Sequence, residues 1–138
     1  MMNIEIVKHN LFIDGKHIRR SRKYSCTRDA YLHKGYIIKL DDHLHQSTAE
    51  LLKWGDIKKS DRKHFIEPVD GRFSNVGIRG WIMQKFEKLN YDIEPENHKD
   101  FIDYMRKRYA IEDLKYGDNM GYDVKGNLRI FDWGVNDK

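Results

Sequence analysis

Three glycine-bearing turns, each set between short runs of apolar and β-branched residues, constrain this chain more than any other feature of its sequence. Asp14-Gly15 stands between Asn10-Leu11-Phe12-Ile13 and Lys16-His17-Ile18-Arg19. A two-residue Asp-Gly link is the spacing at which antiparallel strands reverse direction. His33-Lys34-Gly35 joins Ala30-Tyr31-Leu32 to Tyr36-Ile37-Ile38-Lys39-Leu40, and Lys125-Gly126-Asn127 joins Met120-Gly121-Tyr122-Asp123-Val124 to Leu128-Arg129-Ile130-Phe131-Asp132. In each, glycine supplies the backbone freedom that the reversal needs. The sheet these segments predict is antiparallel.

Helical signals stand between the hairpins. Ser47-Thr48-Ala49-Glu50 has the form of a capping box, with Leu51, Leu52 and Trp54 as the apolar face of the helix it would start. Residues 56–64 are charged and predict a continuation or a surface turn. Phe65-Ile66-Glu67-Pro68-Val69 and Trp81-Ile82-Met83-Gln84-Lys85-Phe86 read as two further strands, separated by a turn-rich loop at 70–80. After a polar connector at 87–96, Asn97 can cap a second helix in which Phe101, Met105 and Tyr109 recur every four positions, joined by Ile102 and Tyr104. The chain shows no internal repeat, low-complexity tract or interdomain linker. The fold class is therefore α+β: a twisted antiparallel sheet of about five strands with one helix on it, then a second helix and a hairpin.

At 138 residues the chain has the size of one domain, and 3 Trp, 8 Tyr and 6 Phe suffice for a core although 35% of residues are charged. A single cysteine, Cys26, cannot form an intramolecular disulfide and reads as a small filler residue. No apolar run approaches the ~20 residues that span a bilayer, and the first ten residues lack a signal-peptide block. The expectation is a cytoplasmic, reducing location without membrane contact. Net charge is +4, but 22 acidic residues are interspersed with 26 basic ones, so nucleic acid is not the expected partner. The basic strip Lys16, Arg19, Arg20, Arg22, Lys23 and Arg28, interleaved with Tyr24, reads as a solvated hairpin before it reads as a nucleic-acid grip. The seven histidines are scattered, with only His43 and His45 close together, and do not form a zinc pattern.

The order of strand lysine, helix glutamate, two strands, helix, Asp…Asn loop, hairpin and Asp-x-Gly resembles the protein-kinase-like superfamily, including its aminoglycoside-phosphotransferase branch, from about residue 21 to 134. The resemblance implies an antiparallel N-lobe with one helix (1–86), a hinge, and a minimal C-lobe of one helix plus a catalytic-loop hairpin (87–138), all within one kinase-like domain. It also implies a nucleotide partner, ATP, with Mg²⁺. Lys39 then corresponds to the phosphate lysine and Glu50 to its helix partner, unless Glu50 only closes the capping box. Asp113 in Ile111-Glu112-Asp113-Leu114-Lys115 corresponds to the catalytic-loop aspartate, while Asn119 and Asp132 of Asp132-Trp133-Gly134 correspond to the metal ligands. Phosphoryl transfer suits these types, since it needs hard oxygens for Mg²⁺ and a compact ammonium at the phosphates.

The chain departs from that pattern in three places. Asp113 precedes Asn119 by six positions and Ile111-Glu112 replaces His-Arg, so either the loop bulges by one residue or Asp118 shares the work. Ser21-Arg22-Lys23-Tyr24-Ser25-Cys26-Thr27-Arg28 has no glycine where the family carries its Gly-rich loop, leaving hydroxyls, Ser25 among them, and basic side chains to meet phosphates. Only four residues follow Gly134, in place of an activation segment and the helices that hold a protein substrate. In size and ending the chain resembles small phage-encoded kinase-like proteins. Two functions remain open on this reading: a phosphotransferase acting on a protein or small-molecule hydroxyl, and a non-catalytic pseudokinase-like module that inhibits or regulates a host protein. A homodimer supplying the missing large-lobe surface is compatible with both.

Overall fold

The structure, a computed structural model, describes residues 2–8, 10–25, 28–73, 80–111, 114 and 119–134. The Asp14-Gly15 turn reverses the chain with both residues at positive φ, 51° and 81°, the backbone a tight hairpin of this hand requires. It joins β2 (Asn10–Ile13) to β3 (Lys16–Ile18) with Ile13 opposite Lys16. A strand not predicted, β1 (Ile4–Val7), adds to the other edge of β2. Its side chains alternate between half-buried and exposed, a faint signal from a strand covered on one face only.

The second hairpin pairs β4 (Ala30–His33) with β5 (Tyr36–Leu40), Ala30 standing opposite Lys39. With β6 (Pro68–Arg72) and β7 (Trp81–Lys85) these strands form a four-stranded antiparallel sheet in the order β4-β5-β7-β6. The single sheet of about five strands expected from sequence is thus two sheets. The physical reason is burial: Leu11 and Ile13 of β2 lie against Tyr31, Ile38, Leu40, Trp81 and Met83, so the first hairpin covers the larger sheet rather than extending it. Alternation along β5 then turns Lys39 to the opposite face, beside its cross-strand partner Ile82.

That face is covered by α1 (Gln46–Asp56). Its start differs from the capping box expected at Ser47-Thr48-Ala49-Glu50. The N-cap is His45, in a left-handed conformation and with no side-chain cap of its own. Asp41 does the capping from outside: Oδ1 accepts the Thr48 N–H at 3.0 Å, and Oδ2 accepts the Thr48 hydroxyl at 2.8 Å and the Gly80 N–H at 2.9 Å. Ser47 and Glu50, both fully buried, are thereby free to face the sheet.

The strand expected at Phe65–Val69 begins three residues later. Phe65 bridges in parallel to Ile130, and the Ile66 N–H donates to the Ile130 carbonyl, so this segment leaves the sheet to lie along the last hairpin. A 3₁₀ turn at Arg62–His64 precedes it. The second helix, α2 (Lys99–Tyr109), starts after another 3₁₀ turn at Pro95–His98, with His98 rather than Asn97 as N-cap, because Pro95 sets a separate first turn. The third hairpin pairs β8 (Met120–Tyr122) with β9 (Leu128–Ile130). Ile57, Phe65 and Ile82 meet Ile102, Met105, Tyr109, Ile130 and Trp133 in a second core, tying the sheet, both helices and the final hairpin together. The architecture is α+β, with antiparallel sheets and two helices. Among the described residues no helix is long and apolar enough to cross a membrane.

Candidate functional site

Four charged side chains from four elements converge behind β5. Lys39 projects from β5, Glu50 from the buried face of α1, Asp132 follows β9, and Arg28 precedes β4. Lys39 Nζ lies 2.9 Å from Asp132 Oδ1 and 3.6 Å from Glu50 Oε2, and donates to the Phe131 carbonyl at 3.2 Å. Arg28 closes the square: its Nη1 donates to Glu50 Oε1 at 2.6 Å and its Nη2 to Asp132 Oδ1 at 2.8 Å. Two cations balance two carboxylates, as a site this enclosed requires, since a lone charge out of water costs several kcal/mol.

Neutral groups complete the valences. Ser47 Oγ accepts from Arg28 Nη1 and donates to the Lys39 carbonyl, both at 2.9 Å. Glu50 Oε2 accepts the Trp133 N–H at 3.0 Å, and the Glu50 carbonyl accepts the Trp133 indole N–H at 3.1 Å. The Asp-Trp-Gly segment is thus docked onto α1 by its middle residue. Trp133 packs edge-on against Phe65, and a Cβ on Gly134 would run into the Gln46 carbonyl and Glu50 Cγ. The glycine is needed here for close approach to the helix.

Charge and burial pull against each other at both ends of the square. Burial would lift the Asp132 carboxyl, but the Lys39 and Arg28 charges and their hydrogen bonds hold it below the ordinary carboxylate range. Burial disfavours the Arg28 guanidinium, yet Glu50 and Asp132 overcome it and raise its pKa further. Of the four, only Asp132 retains appreciable access to solvent, its side chain 26% exposed against 6%, 4% and 0% for Arg28, Lys39 and Glu50.

The residues expected from sequence fall into four groups. Lys39, Glu50 and Asp132 are brought together. Asn119 is joined to the same strand end through its backbone, its carbonyl accepting the N–H of Phe131 at 2.8 Å and of Asp132 at 3.3 Å. The Ser25 hydroxyl accepts the Ala30 N–H at 2.9 Å, closing the turn that leads into β4. Asp113 and Asp118 lie outside the described residues, as does Cys26.

Arg28 is the member that the motif order did not single out. The hairpin register carried the signal: Ala30 is opposite Lys39, so stepping back two residues from Ala30 places residue 28 on the lysine's side of the sheet. Nearby, Tyr24 packs edge-on against Phe86 at 5.2 Å between ring centroids.

Among the described residues no group of three or more His, Cys, Asp or Glu gathers to hold a metal. Mg²⁺ demands less of a protein, being commonly held by one or two carboxylates together with substrate phosphates. Asp132, the most accessible acid of the square, fits that role. Comparisons with protein-family models, with curated proteins and with solved structures give no match to this chain.

Proposed function

We propose that this chain is a small kinase-like domain that binds Mg²⁺-ATP at the Lys39, Glu50 and Asp132 cluster and transfers phosphate to a protein or small-molecule hydroxyl. The observation that carries the reading is the position of Lys39 Nζ, 3.6 Å from the helix glutamate and 2.9 Å from the aspartate of Asp-Trp-Gly. A lysine fixed in this way presents a compact cation to nucleotide phosphates, next to a carboxylate suited to Mg²⁺. The chain order of lysine strand, glutamate helix, two strands, second helix and hairpin supports the same reading. Asn119 then supplies a further oxygen for the metal, and Asp113 or Asp118 accepts the proton of the acceptor hydroxyl. Arg28 gives up Asp132 when the nucleotide enters, and the phosphates replace the carboxylate as its partner.

Calorimetry and thermal unfolding at millimolar ATP with Mg²⁺ test the proposal. Heat of binding and a raised Tm are expected for the wild type, and both are lost in Asp132→Asn. Absence of heat and of any shift in the wild type overturns it.

A second reading, the pseudokinase-like regulator of a host protein, is favoured by one observation: Arg28 balances the charge of the square and pairs with both of its carboxylates. On that reading a folded Asp132→Ala protein keeps its partner, whereas loss of the partner with the fold intact counts against a purely surface-mediated role.

A further inference from the structure

A cavity of about 410 Å³ opens on the side of the molecule formed by the Arg62–His64 turn, the start of α2 and the turn of the last hairpin. Its lining includes Lys63, His64, His98, Phe101 and Arg129, and among the described residues no carboxylate lines it. None of the residues of the charged square takes part. We propose that this cavity is a binding site for a small phosphate monoester carried on a planar ring.

The walls divide the ligand into the same two parts. The Phe101 ring meets His64 edge-on at 5.0 Å, and His98 meets Tyr122 edge-on at 5.7 Å, giving a flanked slot of ring surfaces. The volume lies within the range of small-molecule sites, which are mostly apolar with a few placed polar groups. The charged groups of the lining are cations, with the Asn127 amide beside them. Lys63 is exposed, and among the described residues no acid forms an ion pair with it. Arg129 spends Nη1 on Glu87 and Asp123 and Nη2 on the Phe65 carbonyl, but its Nε is buried without an acceptor. The His98 ring is already oriented by a 2.6 Å hydrogen bond between its Nε2 and the Tyr122 hydroxyl. A phosphate dianion offers enough acceptors for Lys63, a histidine and Arg129 together; a carboxylate offers fewer.

His64 reports the local field. Burial lowers its pKa, and the cations of Lys63 and Arg129 lower it further, against the opposing charge of Asp61. Those groups, with His98 across the cavity, are the titratable and charged neighbours facing it. Burial first, and the Lys63 and Arg129 charges behind it, thus disfavour the imidazolium, and a bound anion would oppose that bias.

The experiment is an NMR titration of the histidine ring signals with phenyl phosphate as probe, in the wild-type protein, in Lys63→Gln and in Asp132→Asn. Binding is expected to shift His64 and His98 and to raise the His64 pKa by about half a unit or more, since a negative charge a few ångströms away favours the imidazolium. Lys63→Gln should weaken binding about threefold, the share of one exposed ion contact. Asp132→Asn should bind as the wild type does, which separates this site from the proposed nucleotide site. Phenylacetate and inorganic phosphate are expected to bind more weakly than phenyl phosphate, the first lacking acceptors and the second the ring. Equal binding of phenylacetate overturns the phosphate assignment, equal binding of phenol overturns the anion site, and no shift of either histidine at tens of millimolar probe overturns the whole proposal.

Discussion

Two arginines in this molecule each hold two carboxylates, and the settings could hardly differ more. Arg28 meets Glu50 at 2.6 Å and Asp132 at 2.8 Å, inside a core where the glutamate has no exposed surface. Arg129 meets Glu87 at 3.2 Å and Asp123 at 3.4 Å near the rim, where water reaches all three side chains. Around Arg28 a serine hydroxyl, a lysine and a backbone N–H complete the network; around Arg129 one guanidinium N–H is left without an acceptor. Burial raises the stakes in both directions, because a low dielectric strengthens every contact that is made and penalises every one that is lost. The inner cluster is therefore a set of parts that stand or fall together, and the outer one a set of separable contacts.

The largest expected effect comes from removing the fully buried anion of the inner cluster, Glu50, which pairs with both Arg28 and Lys39. Glu50→Gln leaves Arg28 and Lys39 with Asp132 alone and replaces an acceptor of the Trp133 N–H, so the loss should be about 3–5 kcal/mol, the range for breaking a buried pair from one side. Urea unfolding followed by circular dichroism at neutral pH measures it. A loss under about 1 kcal/mol would show that water already screens the cluster and would erase the contrast with Arg129.

Acid separates the two clusters by a smaller margin. The Asp132 carboxyl lies below its ordinary value in the fold: burial opposes the charge, and Lys39 and Arg28 more than offset it. Asp123 is also lowered, first by the backbone N–H of Asn127 and, behind it, that of Lys125, with Arg129 contributing less. A carboxyl depressed in the folded state adds stability that is complete above its unfolded pKa of about 4 and disappears as pH falls through the folded value. Stability should thus decline on acidification below about pH 5, and Asp132→Asn should flatten that decline. Thermal unfolding from pH 7 to pH 3 gives the slopes. An unchanged slope in Asp132→Asn would mean that other groups carry the acid sensitivity.

What could be read from the sequence divides along the same line between local and distant causes. All three hairpins were legible because Asp14-Gly15, Lys34-Gly35 and Lys125-Gly126 carry their instructions within a few residues. Lys39, Glu50 and Asp132 were legible as a set only through their order along the chain; nothing local to any one of them indicates a partner. The capping box at Ser47 misled because its local pattern was overridden from outside by Asp41, which freed Ser47 and Glu50 for the core. The split into two sheets depended on Leu11 and Ile13 finding Trp81 and Met83, a match of surfaces that no short window contains. For Arg28 the local register set only its side of the sheet, and its pairing with Asp132, 104 positions away, lay beyond any short window.

The smallest effect is the one that most directly tests the outer cluster. In Glu87→Gln the lost contact is a 3.2 Å pair with Arg129 whose members keep 19% and 26% of their side-chain surface, and Asp123 and the Phe65 carbonyl remain to hold the guanidinium. The cost should be under about 1 kcal/mol, as for exposed ion pairs in general. Salt discriminates further: at molar ionic strength the screening length falls to about 3 Å, so the difference between Glu87→Gln and wild type should shrink, while the Glu50→Gln deficit, shielded from mobile ions, should persist. Parallel urea titrations at low and high sodium chloride make the comparison. If both deficits vanished together in salt, Arg28 would be as open to water as Arg129, and the inner cluster would have to be regarded as a surface network.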